Sequence, residues 1–136
     1  MRQWDVQVEI YQLLIGYAPL NDKVEDRIYD HIPQGTEYPY INIGDDTSLE
    51  WDTDDSDGSE NTLTIHVWSR ERGRREAKQI MEDIYNVLHR AELVITGIDA
   101  VYCYYDFGET YLDPDGVTRH GVIRFRIVVE YRHEVT

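Results

Sequence analysis

At 136 residues, with a single cysteine (Cys103) that has no internal partner, the chain is long enough to form one domain whose core holds without disulfides. A net charge of −14, from 27 acidic against 13 basic residues, argues against gripping nucleic-acid phosphates, which takes a basic footprint. No apolar run approaches the roughly 20 residues of a membrane-spanning helix, and no signal-like segment opens the chain, so the reading is a soluble protein folded in a reducing cytoplasm.

The first element is predicted to be a helix: Trp4, Val8, Tyr11 and Ile15 recur at helical spacing, Ile10 and Leu14 widen that stripe, and Gly16 and Pro19 close it. Leu20 to Asp26 suggests a single helical turn, and Ile28-Tyr29-Asp30 a brief strand. Tyr38 to Ile43 has strand composition. Pro39 cannot donate to a ladder and so belongs at a sheet edge or a strand start, and Gly44 marks the expected end. Asp45 to Glu60 carries eight acidic residues and no basic ones around Trp51, which predicts a mobile loop or a long hairpin arm.

The clearest patterns follow. From Asn61 to Ser69, Leu63, Ile65 and Val67 alternate with Thr62, Thr64, His66 and Trp68, the signature of a half-buried strand. From Ala77 to Ala91, Ala77, Ile80, Met81, Ile84 and Leu88 form one stripe of an amphipathic helix. The two apolar faces are expected to meet, since burying each large side chain is worth about 1.5–3 kcal/mol. Leu93 to Tyr105 reads as a strand bent or bulged at Gly97, with Val101, Cys103 and Tyr105 on one face and Ala100, Tyr102 and Tyr104 on the other. Asp113-Pro114-Asp115-Gly116 is a turn. The last strand runs from Val122 to Arg132, with Ile123, Phe125, Ile127, Val129 and Tyr131 inward and Arg124 and Arg126 among the outward residues. The expected fold class is therefore α+β: an antiparallel sheet of about four strands, a long amphipathic helix on one face, and an N-terminal helix, all within residues 1–136 as one domain.

Catalytic and metal signatures fail on inspection. Asp52, Asp54 and Ser56 alternate as in a calcium loop, yet the glycine is one place late and the closing glutamate is missing. The five histidines show no metal-ligand spacing, and Ser69 sits in no nucleophile-elbow motif. No metal or cofactor is expected. What points outward is the sheet face away from the helix, where His66, Trp68, Tyr102, Tyr104, Arg124 and Arg126 give the aromatic and arginine enrichment of an interface core. Alternatively the N-terminal helix covers that face within the subunit. Arg70, Arg72, Arg74 and Arg75 at the helix entry suit an anion, the chain's own acidic loop, or a neighbouring subunit.

Taken together and in order, Arg27-Ile28-Tyr29-Asp30, Pro39-Tyr40 to Ile43-Gly44, His66-Val67-Trp68-Ser69 with Gly73, Asp113-Pro114-Asp115-Gly116, His120-Gly121 and Arg124-Phe125-Arg126 resemble the tail-completion, or tail-terminator, proteins of long-tailed bacteriophages and prophages. The resemblance covers nearly the whole chain. It implies a non-enzymatic virion tail protein, made in the host cytoplasm, that forms a hexameric ring with itself on the finished tail-tube protein. The ring would halt polymerisation and meet a head-completion or connector protein, with DNA passing nearby but not specifically bound. The acidic residues Asp52, Asp54, Asp55 and Asp57 would then face the channel. The competing reading is an acidic DNA mimic that inhibits a nucleic-acid-binding enzyme; the concentration of eight of the 27 carboxylates in one stretch weighs against it.

Overall fold

The computed structural model describes residues 2–52, 56–98 and 100–132. Its elements are α1 (Gln3–Ile15), α2 (Ala18–Val24), β1 (Ile28–Tyr29), β2 (Tyr40–Asp52), β3 (Ser56–Ser69), α3 (Arg75–Leu88), β4 (Ala100–Leu112) and β5 (Arg119–Arg132). The class is α+β, but the sheet has five strands in the order β1-β2-β3-β5-β4 and is mixed rather than wholly antiparallel, because β1 runs parallel to β2. Two residues are too few to hold an edge strand by ladder bonds alone. The Asn42 side-chain amide supplies the rest, donating to the carbonyls of Tyr29 (3.1 Å) and Asp30 (2.9 Å).

The joint between β3 and α3 forms as expected. Ala77, Ile80, Ile84 and Leu88 are buried, packed in one apolar cluster with Leu63, Ile65 and Val67 of β3, Ile123, Phe125 and Ile127 of β5, and Val101 and Cys103 of β4. At the corner between them, the buried Ser69 hydroxyl donates to Glu76 Oε1 at 2.7 Å and accepts from the Glu71 amide, so it is a structural hydroxyl rather than a nucleophile. The approach of α3 to the sheet depends on a missing side chain: a Cβ on Gly121 would lie 2.7 Å from Met81 Sδ and 3.3 Å from Val67 Cβ. Met81 thus lies flat on the strand backbone. The helix stops at Leu88, and the Arg90 amide then donates to the Cys103 carbonyl at 2.7 Å while Leu93 donates to Val101, covering part of the β4 edge.

The N-terminal helix is rotated from its expected setting. Ile10 and Leu14 of the expected stripe are buried, with Val6 beside them, whereas Trp4, Val8 and Tyr11 are exposed. Both sets recur at helical spacing, so periodicity alone cannot say which stripe meets the core. α1 and α2 lie on the same side of the sheet as α3, their buried residues joining the same cluster. Asn21 secures the corner, its side-chain amide donating to the carbonyls of Leu14 and Ile15 at the end of α1 and of Tyr17 at the start of α2.

Four strand boundaries also move. Gly44 does not end β2: the strand continues to Asp52 after a bulge at Asp45, whose φ is +52°. The acidic stretch is therefore hairpin, with β3 paired to β2 on one side and to β5 on the other; Asp54 and Asp55 lie outside the described residues. Strand β4 begins only at Ala100, Gly97 standing in a turn before it, and runs on to Leu112 past a second bulge between Tyr105 and Phe107. The Asp113 to Gly116 turn forms, and β5 starts at Arg119, three residues earlier than expected. Ile123, Phe125, Ile127 and Val129 point inward as read; the side chain of Tyr131 is outside the described set.

Ile84 is fully buried in the joint. Ile84→Asp would strand a carboxylate there without a partner, costing several kcal/mol against a total stability of about 5–15 kcal/mol. The expected outcome is misfolding, checked by thermal melting and solubility; a soluble, cooperatively melting variant would contradict this packing.

Candidate functional site

With all three helices on one side, the opposite sheet face is open, and strand register determines what it displays. Tyr40, Trp68 and His120 are direct neighbours across β2, β3 and β5, and Tyr111 of β4 pairs with His120. They make a row of rings across four strands, with centroids 6.3 Å apart for Tyr40 and Trp68, 3.8 Å for Trp68 and His120, and 4.7 Å for His120 and Tyr111. Tyr38 extends the row 5.1 Å beyond Tyr40, and the Arg70 guanidinium lies 4.3 Å above the Tyr38 ring. Burial pushes the Tyr40 hydroxyl up to about 12, with Tyr38 beside it acting in the same direction.

Both bulges present an aspartate to this face. A bulge re-aims the side chain it inserts. Asp45 accepts from Nε2 of His66 at 2.8 Å, and Asp106 accepts from Nε of Arg124 at 2.8 Å while that guanidinium lies 4.4 Å from the centre of the Phe107 ring. Nδ1 of His66 stands 2.8 Å from Nε2 of His120. Asp45, His66 and His120 thus form a chain of contacts that ends on the Trp68 ring. Further along the face, Arg126 pairs with Glu60 at 2.9 Å, and Tyr102 and Tyr104 stack 6.5 Å apart.

The structure therefore brings His66, Trp68, Tyr102, Tyr104, Arg124 and Arg126 onto one face, and α1 does not cover it. Arg70 joins its end through Tyr38 and a 3.2 Å hydrogen bond to Thr118. Arg72, Arg74 and Arg75 do not join: they are exposed and, among the described residues, make no ion pair with the acidic hairpin or anything else. Asp52 and Asp57 face each other across the last pair of the β2–β3 hairpin. Sequence reading missed Tyr40, Tyr111, His120 and the two bulge aspartates. The His66–His120 pair spans 54 residues and needed register to find. The available signal was an acidic residue breaking an alternating run, in Gly44-Asp45-Asp46 and in Tyr105-Asp106-Phe107. Among the described residues no cluster of three or more His, Cys, Asp or Glu is placed to hold a metal. Cys103, with its thiol pushed up to about 12 by burial, belongs to the core on the other face.

Burial, followed by the neighbouring His66, pushes His120 down to about 4 from its ordinary 6.5. Between those values the unfolded chain binds a proton that the folded one refuses, so stability rises with pH across the window and is lost as pH falls through it. His120→Phe keeps a ring on Trp68 but cannot titrate. Melting temperatures measured from about pH 7 down to about pH 4 should fall more steeply for the wild type than for this variant; equal slopes would refute a neutral, buried imidazole.

Comparison with known proteins accords with this architecture. The sequence profile of the family described as tail completion protein gp17 matches residues 8–130. The tail completion protein gp17 of Bacillus phage SPP1 is 31% identical over 116 residues, 85% of each chain. Among solved structures, a chain in the virion of a native gene transfer agent particle superposes with a TM-score of 0.85 at 23% identity, covering 93% of this chain and 95% of that one. The structure of bacteriophage SPP1 gp17 superposes with a TM-score of 0.59 at 23% identity, covering 100% and 99%. These two superpositions carry the fold; the profile and the 31% identity carry the kinship. The chain belongs to the tail completion protein gp17 family, and is a structural component of a phage tail, not an enzyme.

Proposed function

We propose that this chain caps the completed tail tube as a closed ring, expected to be a hexamer, stops tube polymerisation, and presents the surface on which the DNA-filled head docks through its head-completion or connector protein. The observation that carries this reading is the open sheet face. A face left bare by every helix, crossed by a four-strand row of rings and studded with arginines, has the composition of an interface core. Its arginines and histidines are already held by Asp106, Glu60 and Asp45, so little side-chain freedom remains to be lost on contact with other tail components. A cap on a rotationally symmetric tube must itself close by rotation, which calls for heterologous contacts between subunits.

The acidic end of the β2–β3 hairpin is assigned to the channel. Carboxylates there repel phosphates over about one Debye length, ~8 Å at physiological salt, so DNA slides past without sticking. A DNA mimic would spread its carboxylates over a contiguous face; here eight of the 27 are concentrated in one hairpin, and kinship with a tail protein favours the ring.

Tyr104 and Arg126 are exposed on the open face. The pair Tyr104→Ala and Arg126→Gln should leave melting nearly unchanged, the lost Glu60 pair being exposed, while capping fails, read as overlong tails by electron microscopy; absence of ring density both in concentrated protein and on purified tails would defeat the ring reading itself. For the hairpin, Asp52, Asp54, Asp55 and Asp57 changed together to Asn should melt at the same temperature or slightly higher, because Asp52 and Asp57 are directly opposed. Tail length should stay normal, while DNA ejection slows or free DNA begins to bind at low salt. Abnormal tail length would move these residues from the channel to a subunit contact.

A further inference from the structure

The stripe that α1 turns away from the core has no occupant among the described residues. Trp4, Val8 and Tyr11 are 65%, 38% and 37% exposed, and with Ile43 of β2 they wall a groove of about 330 Å³. The charge beside the groove is acidic. Asp30 lines it and accepts from the neutral amide of Gln7, and Asp46 lines the adjoining hollow without an ion pair among the described residues. Arg2, which lines the same hollow, is occupied by Asp5. Elsewhere on the chain the reverse arrangement occurs: Arg72 and Arg74 on the β3–α3 connection and Arg75 at the first residue of α3 stand exposed with no ion pair or ring contact among the described residues. Two guanidinium groups of this chain already lie on aromatic faces, Arg70 on Tyr38 at 4.3 Å and Arg124 on Phe107 at 4.4 Å.

We propose that the Arg72 to Arg75 connection of one subunit seats in the Trp4–Tyr11 groove of the next, its guanidinium groups stacking on the two rings and pairing with Asp30 and Asp46. The inference rests on the ring reading above and names the contact that closes it. Copies that each carry a charge of −14 repel one another, so they associate where a local basic patch meets a local acidic one. Arginine over Trp or Tyr beside a carboxylate is the combination that stays favourable when water is excluded. The groove and the basic connection are different surfaces of the same chain. A contact between them is head to tail, the kind that propagates and closes into a ring.

Two exposed positions test it directly. A chain carrying both Val8→Cys and Arg74→Cys, oxidised as concentrated protein and again on purified tails, should give a ladder of cross-linked oligomers ending at the ring number, while either single variant gives none; the native Cys103 is buried and silent. Trp4→Ala, or Arg72, Arg74 and Arg75 changed to Glu, should raise the concentration needed for assembly about tenfold or more. Added salt should act in the same direction. Pairing the Glu changes with Asp30→Arg and Asp46→Arg should restore assembly. Rings that form without the ladder and are indifferent to Trp4→Ala would overturn this contact and leave the ring standing. Dimers from Val8→Cys alone would overturn it in favour of groove against groove. Normal rings of Trp4→Ala that fail to cap tails would overturn it by giving the groove to another tail protein. No oligomer in either setting would overturn both readings.

Discussion

The apolar stripe of α3 has to be buried, and the surface that can bury it is the one built from alternate residues of β3, β5 and β4. Ile80, Ile84 and Leu88 reach down to Leu63, Ile65, Phe125 and Ile127, and α1 and α2 complete the layer beside them through Ile10, Leu14, Leu20 and Val24. Because all three helices are committed to that side, the other side of the sheet receives no cover from the described residues. The open aromatic face is thus a consequence of where the core was placed. It cannot be altered independently: moving a helix across to shield it would expose the core on the first side.

What the open face displays depends on two interruptions of the ladder. Beyond each bulge the parity of the strand reverses, so Thr47 and Leu49 continue the face begun by Tyr40 and Asn42, and Phe107, Glu109 and Tyr111 continue the face begun by Tyr102 and Tyr104. Each inserted residue is an aspartate set against a nitrogen donor of a neighbouring strand, His66 in one case and Arg124 in the other. At Asp45 the φ of +52° is a conformation that aspartate tolerates better than most residues, and the bond to His66 helps hold it there. The bulges therefore do two things together: they extend the face along the strands, and they anchor its charged groups.

Electrostatics sets a further condition on assembly. With 27 acidic residues to 13 basic, like copies repel at long range, and association has to be local and specific. Arginines held by partners within the subunit, such as Arg126 with Glu60, are already settled. Arg72, Arg74 and Arg75 make no ion pair among the described residues, and they stand out in a chain that has acidic residues in excess.

The strand–helix joint was legible because its residues separate cleanly into two classes: Leu63, Ile65 and Val67 against Thr62, Thr64 and His66, and Ile80, Ile84 and Leu88 against Lys78, Gln79 and Glu82. The amino-acid sequence by itself determined those two elements, their facing surfaces, the Asp113 to Gly116 turn, the acidic character of the hairpin and the family. It could not determine which stripe of α1 is buried, since Trp4, Val8 and Tyr11 match the helical period as well as Val6, Ile10 and Leu14 do. Nor could it determine where β2 and β4 end, because one inserted aspartate destroys a period of two. Strand order and register were decided only by tertiary structure, and with them the meeting of His66 with His120 and the ring row from Tyr40 to Tyr111. The physical reason is that periodicity records which face a residue shares with its neighbours in sequence, whereas a sheet is assembled from strands whose pairing depends on how all their faces bury at once.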